Sequence, residues 1–400
     1  MPAVTNLITL FINIKKHQTC SSSTIILFCF HTTLMKIKEI LQSLEQWAPL
    51  AYQESYDNCG IQAGNANQDV KGILITLDTI EEIIDEAIAK NCNLVIAHHP
   101  LLFKGLKSIT GKNDIERALV KAIKHDITIY AIHTNLDHVA NGVNLRICDR
   151  LGLVNIKTLV GKTGLLTKLQ AYVPKKDKEQ ILTALFHAGA GDIGNYSSCA
   201  FRSEGIGSFL PNEQAKPHVG KALQMEYVEE VKIETVFPTH LKNQIVAALK
   251  QAHPYEEVAY DLFELENTWE SVGSGMVGEL PQTMPAEAFL KHVAQGMGIN
   301  TFKYTHAFQG QIKKVAVCGG AGSFLLKNAL QAGAQAFVSS DFKYHEFFDA
   351  EKDILVADIG HYESEVYTKE LIYDFLIEKF TNIAILISQT NTNPVRYFRQ

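Results

Sequence analysis

A chain of 400 residues that is 46% hydrophobic and 20% charged has the composition of an ordinary soluble globular protein with room for two or three domains. Its formal charge of −6 provides no basic field to draw it onto a nucleic-acid backbone or an anionic membrane, so neither partner is favoured. The seven cysteines form no C-x-x-C pair, which argues against a disulfide framework and a zinc-thiolate site and fits a reducing cytoplasm.

Residues 1–34 contain two apolar stretches, 6–14 and 24–30, both far short of the roughly 20 residues that span a bilayer. Lys15 and Lys16 follow the first stretch and no small-residue cleavage site follows the second, so a signal peptide is a poor match. The expectation is a loose extension or an upstream start, with the folded protein beginning near Met35. From Met35 to Trp47 apolar residues recur at helical spacing, and Pro49 follows the end.

Short β-rich runs then alternate with amphipathic helices. Strands are predicted over 72–77, over 94–97 ending at His98, and over 127–132 ending at His133, with helices over 80–90 and 115–125 between them. The rhythm returns late, with strands over 314–318, 336–339 and 354–357, a Gly-Gly-Ala-Gly run at 319–322, and an amphipathic segment over 366–380. Between the halves the order changes: strand 168–173, helix 178–188, strand 197–203, strand 228–236, helix 240–251, strand 258–264. That is βαββαβ, a ferredoxin-like plan, with its edges marked by Gly161, Gly164, Gly273 and Gly275. The expected class is therefore α/β: a discontinuous three-layer host domain with a mixed sheet (35–164 and 273–400), carrying an inserted α+β ferredoxin-like module (165–272).

Open α/β sheets place ligands beyond the carboxyl edge of their strands. Three exits of one inferred sheet carry metal-ligand residue types. The first is His98-His99-Pro100, where Pro100 disfavours the helical conformation at His99 and helps fix the turn. The second is His133-Thr134-Asn135-Leu136-Asp137, whose carboxylate complements imidazole and can bridge two cations, though alone it also reads as a helix cap. The third is His361 and Glu365, one helical turn apart and able to share a cation, or simply a surface pair at a helix start. Three imidazoles and two carboxylates suit two divalent ions, which about 3.5–4 Å apart would acidify water and stabilise an oxyanion. Nitrogen and oxygen donors admit zinc, iron, manganese or cobalt.

The runs Tyr56-Asp57-Asn58-Cys59-Gly60, Ala97-His98-His99-Pro100, His133 to Asp137, Ser340-Asp341-Phe342-Lys343-Tyr344-His345 and Gly360-His361-Tyr362-Glu363-Ser364-Glu365 resemble the dinuclear-metal-centre family named GTP cyclohydrolase 1 type 2 homologues. The resemblance runs from about Met35 almost to the C-terminus. It implies that His98, His99, Asp137, His361 and Glu365 ligate two ions, and that six subunits form a ring with metal sites facing an internal cavity. It also implies that the insert is similar to the PII and CutA trimeric folds, through Ala200 to Gly207, Lys216-Pro217 and the His253-Pro254-Tyr255-Glu256-Glu257 segment. Tyr56 stands where Trp is usual and Ser340 where Gly is common, and residues 1–34 have no counterpart.

Other residues are weighed against structural roles. His345 is proposed as a proton donor near Asp341, or as packing at a helix start. Tyr56, Asp57 and Asn58 are placed at the pocket mouth, although an Asp-Asn pair before glycine is also turn chemistry. The 319–322 glycines form too incomplete a motif for a phosphate loop, and tight packing is their simpler reason. Two function classes follow: a metal-dependent hydrolase acting on a small, nucleotide-like substrate, or a metal storage, delivery or regulatory protein with a ligand-sensing insert.

Overall fold

The structure is a computed structural model and describes residues 35–306 and 308–398; the expectations for residues 1–34 fall outside the described residues. The architecture is mixed α/β, with three sheets where a single host sheet plus the insert's sheet is expected from the sequence.

The first sheet runs Gly60–Ala63, Thr128–Ala131, Leu94–Ala97, Ile73–Thr76, Ile385–Ile387. All neighbours are parallel except the first pair. Its central strands are buried along their whole length, the pattern of parallel strands covered on both faces. Helices Glu81–Ala89 and Asp114–Lys124 pack on one face through Ile83, Ile84, Ala118 and Leu119. The second of these starts where the Asn113 side chain accepts the Glu116 N–H at 2.9 Å, and it has acids in its first turn and lysines in its last.

The second sheet runs Lys303–Tyr304, Leu355–Asp358, Ala336–Ser340, Gln311–Ala321, Trp269–Pro285, Val154–Lys162. The three strands Leu355–Asp358, Ala336–Ser340 and Gln311–Ala321 are parallel, and the outer pairings are antiparallel. One core joins the two sheets: Ile75, Ile96 and Tyr130 from the first, Val317, Val338 and Ala357 from the second, with residues of helices Ile37–Trp47, Ala286–Met297 and Thr368–Lys379. Each fully buried aliphatic or aromatic side chain there contributes about 1.5–3 kcal/mol, so the strand ends are held rigidly. The single inferred host sheet is thus corrected to two, because short buried runs look alike whichever sheet they join.

The segment between the halves folds around its own core. Strands Phe201–Phe209, Glu226–Pro238, Leu166–Pro174 and Tyr260–Leu265 form an antiparallel sheet in that order. Helices Lys178–His187 and Lys242–Ala252 bury Ile181, Leu185, Ile245 and Leu249 against Ala171 and Ile233. The chain departs from one antiparallel strand of the second sheet and returns on its neighbour, pairing Lys162 with Trp269 and Gly161 with Gly273. A Cβ on Gly273 would lie 2.0 Å from the Val160 carbonyl, so this crossing demands glycine. No helix among the described residues is long and apolar enough to cross a membrane.

Candidate metal centre

The carboxyl ends of the two parallel strand sets face a common cavity of about 1240 Å³, lined by His99, His133, Asp137, His361, Glu365 and Tyr56 among others. At the end of Leu94–Ala97 the ladder continues for two residues: His98 N donates to Thr76 O at 3.2 Å and His99 N to Leu77 O at 2.9 Å. Asp137 lies on the short helix Thr134–His138, whose Asn135 is buried and donates to Ala48 O. His361 and Glu365 open and close the short helix His361–Glu365, entered through Gly360 at φ 93°.

Every imidazole of the cluster has its Nδ1 tied to an oxygen behind it. His98 Nδ1 lies 2.9 Å from the Ile132 carbonyl, His99 Nδ1 2.7 Å from Asp78, and His361 Nδ1 2.6 Å from Asp341. A carbonyl can only accept, so His98 Nδ1 donates to it and Nε2 is turned into the cluster. That Nε2 is buried without a hydrogen-bond partner, as is Asp137 Oδ1, 3.7 Å away. His99 Nε2 and His361 Nε2 are 3.2 Å apart and converge on Glu365 Oε2 at 2.9 and 3.1 Å. Glu365 Oε1 is 3.7 Å from His98 Nε2, so Glu365 faces all three rings, whereas Asp137 is paired with His98.

The donor atoms fall into groups that could hold a metal ion, all within 4.8 Å of one another: His98, Asp137 and Glu365; His99, His361 and Glu365; His98, His99 and His133. Orphaned buried donors, rings fixed through their far nitrogen, and nitrogen and oxygen converging on one carboxylate are the chemistry of a cation site. The charges agree. Burial would push Glu365 up, but His361, His98 and His99 hold it well below the usual carboxylate range. Burial would lower His99, yet Asp78 and Glu365 raise it to about 10; His361, pulled down by burial, is raised to about 9 by Glu365 and Asp341. Asp137, desolvated and without a hydrogen bond at Oδ1, is raised instead.

Of the other sequence candidates, Tyr56 lines the cavity and is exposed. Asp57 does not line it; it stands behind His133, accepting from His133 Nδ1 at 2.8 Å and Thr134 N at 3.1 Å, and these partners overcome burial and hold its carboxyl well below the usual range. Asn58 donates to Leu102 O at 2.6 Å, tying down its own loop. Asp341 takes a left-handed backbone, φ 59°, and orients His361. His345 is exposed on the 3-10 turn Tyr344–Ala350, beside Tyr344 and Phe348, and is not among the residues lining the cavity. Asp78 and His133 were missing from the expected set. Each follows a buried parallel strand as His98 does, so the strand-exit pattern already contained both.

Gly319 to Ala321 end the strand Gln311–Ala321, and Gly322 precedes the 3-10 turn Ser323–Leu325 that leads into the helix Leu326–Gln331. Gly320 has φ +62°, and a Cβ there would lie 2.4 Å from Glu365 Oε1. Gly320→Ala is therefore expected to destabilise the fold by about 1–2 kcal/mol from the left-handed backbone alone. It should also displace Glu365 and weaken metal uptake, to be read by thermal melting and metal titration.

Residues 35–394 match the Duf34/NIF3 (NGG1p interacting factor 3) family. A GTP cyclohydrolase 1 type 2 homolog of Bacillus subtilis is 40% identical over 366 residues, covering 90% of this chain and 98% of its own. Among solved structures, a Bacillus cereus protein related to NIF3 superposes with TM-score 0.80 at 36% identity, over 92% of this chain and 100% of that one. A Staphylococcus aureus protein does so with TM-score 0.73 at 32% identity, over 91% and 99%. With sequence and fold agreeing over nearly all of the described chain, this protein belongs to the Duf34/NIF3 family.

Proposed function

We propose that His98, Asp137 and Glu365 hold one divalent cation, that His99, His361 and Glu365 hold a second, and that the protein is a metal-dependent hydrolase of a small, nucleotide-like molecule. The observation that carries this is Glu365, a buried carboxylate within 3.7 Å of three imidazole nitrogens that belong to two donor sets. Bound there, divalent cations supply Lewis acidity, which lowers the pKa of water and neutralises charge developing on a substrate. The name shared by the curated bacterial relatives supports a nucleotide-like substrate.

The chain's own residues supply the rest. His133 has its Nδ1 engaged by Asp57, which leaves Nε2 as the atom that gives or takes a proton at the substrate. It takes over the part first assigned to His345, which is exposed and absent from the cavity lining. Tyr56 and Phe103, both exposed and lining the cavity, offer ring faces to a planar base and exclude water from one side. The inserted module is read as ferredoxin-like, supported by its βαββαβ order and its antiparallel sheet.

Protein reconstituted with Zn²⁺, Mn²⁺, Co²⁺ or Fe²⁺ and assayed against GTP, cyclic nucleotides and phosphodiesters is expected to turn over at least one class, with loss in His98→Ala and Glu365→Ala. His133→Asn should keep its metal and lose about 10²–10⁴-fold in turnover. Stoichiometric ion transfer without turnover would favour storage or delivery over hydrolysis.

A further inference from the structure

The two donor sets come from different sheets, and behind them a short stretch of the carboxy-terminal tail touches both sides. After Ile385–Ile387 pairs with Ile73–Thr76, Ser388 N donates to Ile75 O at 2.8 Å. The Glu86 carboxylate then pins the chain, accepting from Ser388 Oγ at 2.6 Å, Gln389 N at 3.0 Å and Thr390 Oγ1 at 2.7 Å. So anchored, the tail reaches in two directions. Thr392 Oγ1 donates to Asp78 Oδ2 at 2.6 Å, and the other oxygen of Asp78 accepts from His99 Nδ1 at 2.7 Å. Asn393 Nδ2 donates to Glu363 Oε1 at 3.0 Å, on the helix that carries His361 and Glu365. Asn393 is itself fixed: its N–H donates to Asn391 Oδ1 and its Oδ1 accepts from Val395 N, each at 2.9 Å.

We infer that Thr392 and Asn393 are positioning residues, a cross-brace that sets His99 against His361 and Glu365 and so tunes the affinity of the cation this set takes. The inference rests on the two-cation function proposed above. The Asp78 side chain is about a third exposed, so nothing else fully confines it once the threonine hydroxyl is gone. It would then turn toward solvent and release the ring it orients. A neutral hydroxyl suits the task, because it fixes the carboxylate without cancelling the charge that makes His99 a better donor. The threonine end of the brace reaches one of the two proposed sets, through Asp78 and His99, whereas the asparagine end holds the helix that carries Glu365, the ligand common to both. His98 is oriented by the Ile132 carbonyl, inside the sheet and independent of the tail.

This asymmetry makes the test specific. Full-length wild type, T392V, T392S and N393A are titrated with Zn²⁺ against a chromophoric chelator, and Co²⁺ spectra report the geometry of each site. T392V is expected to bind one of the two ions roughly tenfold more weakly, the lower end of what loss of an outer-shell partner costs. The other ion should stay within about twofold. T392S is expected to behave as wild type and N393A to weaken both ions, since it frees the helix that carries Glu365, which keeps the test open if T392V does not fold. Unaltered affinities in T392V and N393A, or an equal loss for both ions in T392V, would overturn the brace alone. Wild-type protein that takes up no Zn²⁺ would sink the two-cation function and the brace with it.

Discussion

Glu365→Gln is expected to leave a folded protein that retains neither cation, the largest loss of any single substitution at the centre. The residue is 2% exposed, and its carboxylate accepts from two imidazoles while facing a third. Replacing its charge with an amide removes the one anionic donor common to both sets. Outer-shell partners of metal ligands cost about 10–100-fold in affinity when lost, so a shared ligand should cost more than a hundredfold for each ion. The metal-free protein should also lose stability, because His99 and His361 then keep only Asp78 and Asp341 as counter-charges. Asp137→Asn is the contrast: Asp137 is paired only with His98, so one ion should remain. Elemental analysis after gel filtration decides this. Two equivalents of metal persisting in Glu365→Gln would contradict the shared role.

How much of this could be read beforehand depends on where each residue sits. His98 and His99 are a polar interruption at the end of a fully apolar run, and the pairing of Leu94–Ala97 with Ile73–Thr76 and Thr128–Ala131 explains why that interruption means an exit. Glu365 adds the helical i,i+4 spacing, visible without coordinates. The layer behind the ligands was less legible. Asp78 follows a buried strand, but an acid just ahead of a helix reads equally well as a cap. Asp57 belongs to a turn-like segment, and only the fold shows that its carboxylate points inward to His133. The strands Val154–Lys162 and Trp269–Pro285 escaped notice because they are half exposed and have no continuous apolar run. That residues 94–97 and 355–358 lie in separate sheets follows from tertiary pairing across long loops, which no local pattern encodes.

Raising the pH should tighten metal binding steeply while it weakens the metal-free fold, and the opposite signs are the signature of this cluster. In the absence of metal, against the cost of burial, His99 is raised to about 10 by Asp78 and Glu365 and His361 to about 9 by Glu365 and Asp341. A histidine whose folded pKa is raised stabilises the fold fully below its ordinary value of about 6.5, and that contribution fades as pH climbs through the raised value. The metal-free melting temperature should therefore decline between about pH 7 and 10. A cation taken by His99, His361 and Glu365 must displace both protons. Its apparent affinity should rise by up to about a hundredfold per pH unit below pH 9, tenfold for each proton released. Calorimetric titration with Zn²⁺ in buffers of different ionisation enthalpy should count close to two protons for that ion. A pH-independent affinity would mean that the imidazoles meeting at Glu365 are not where the metal goes.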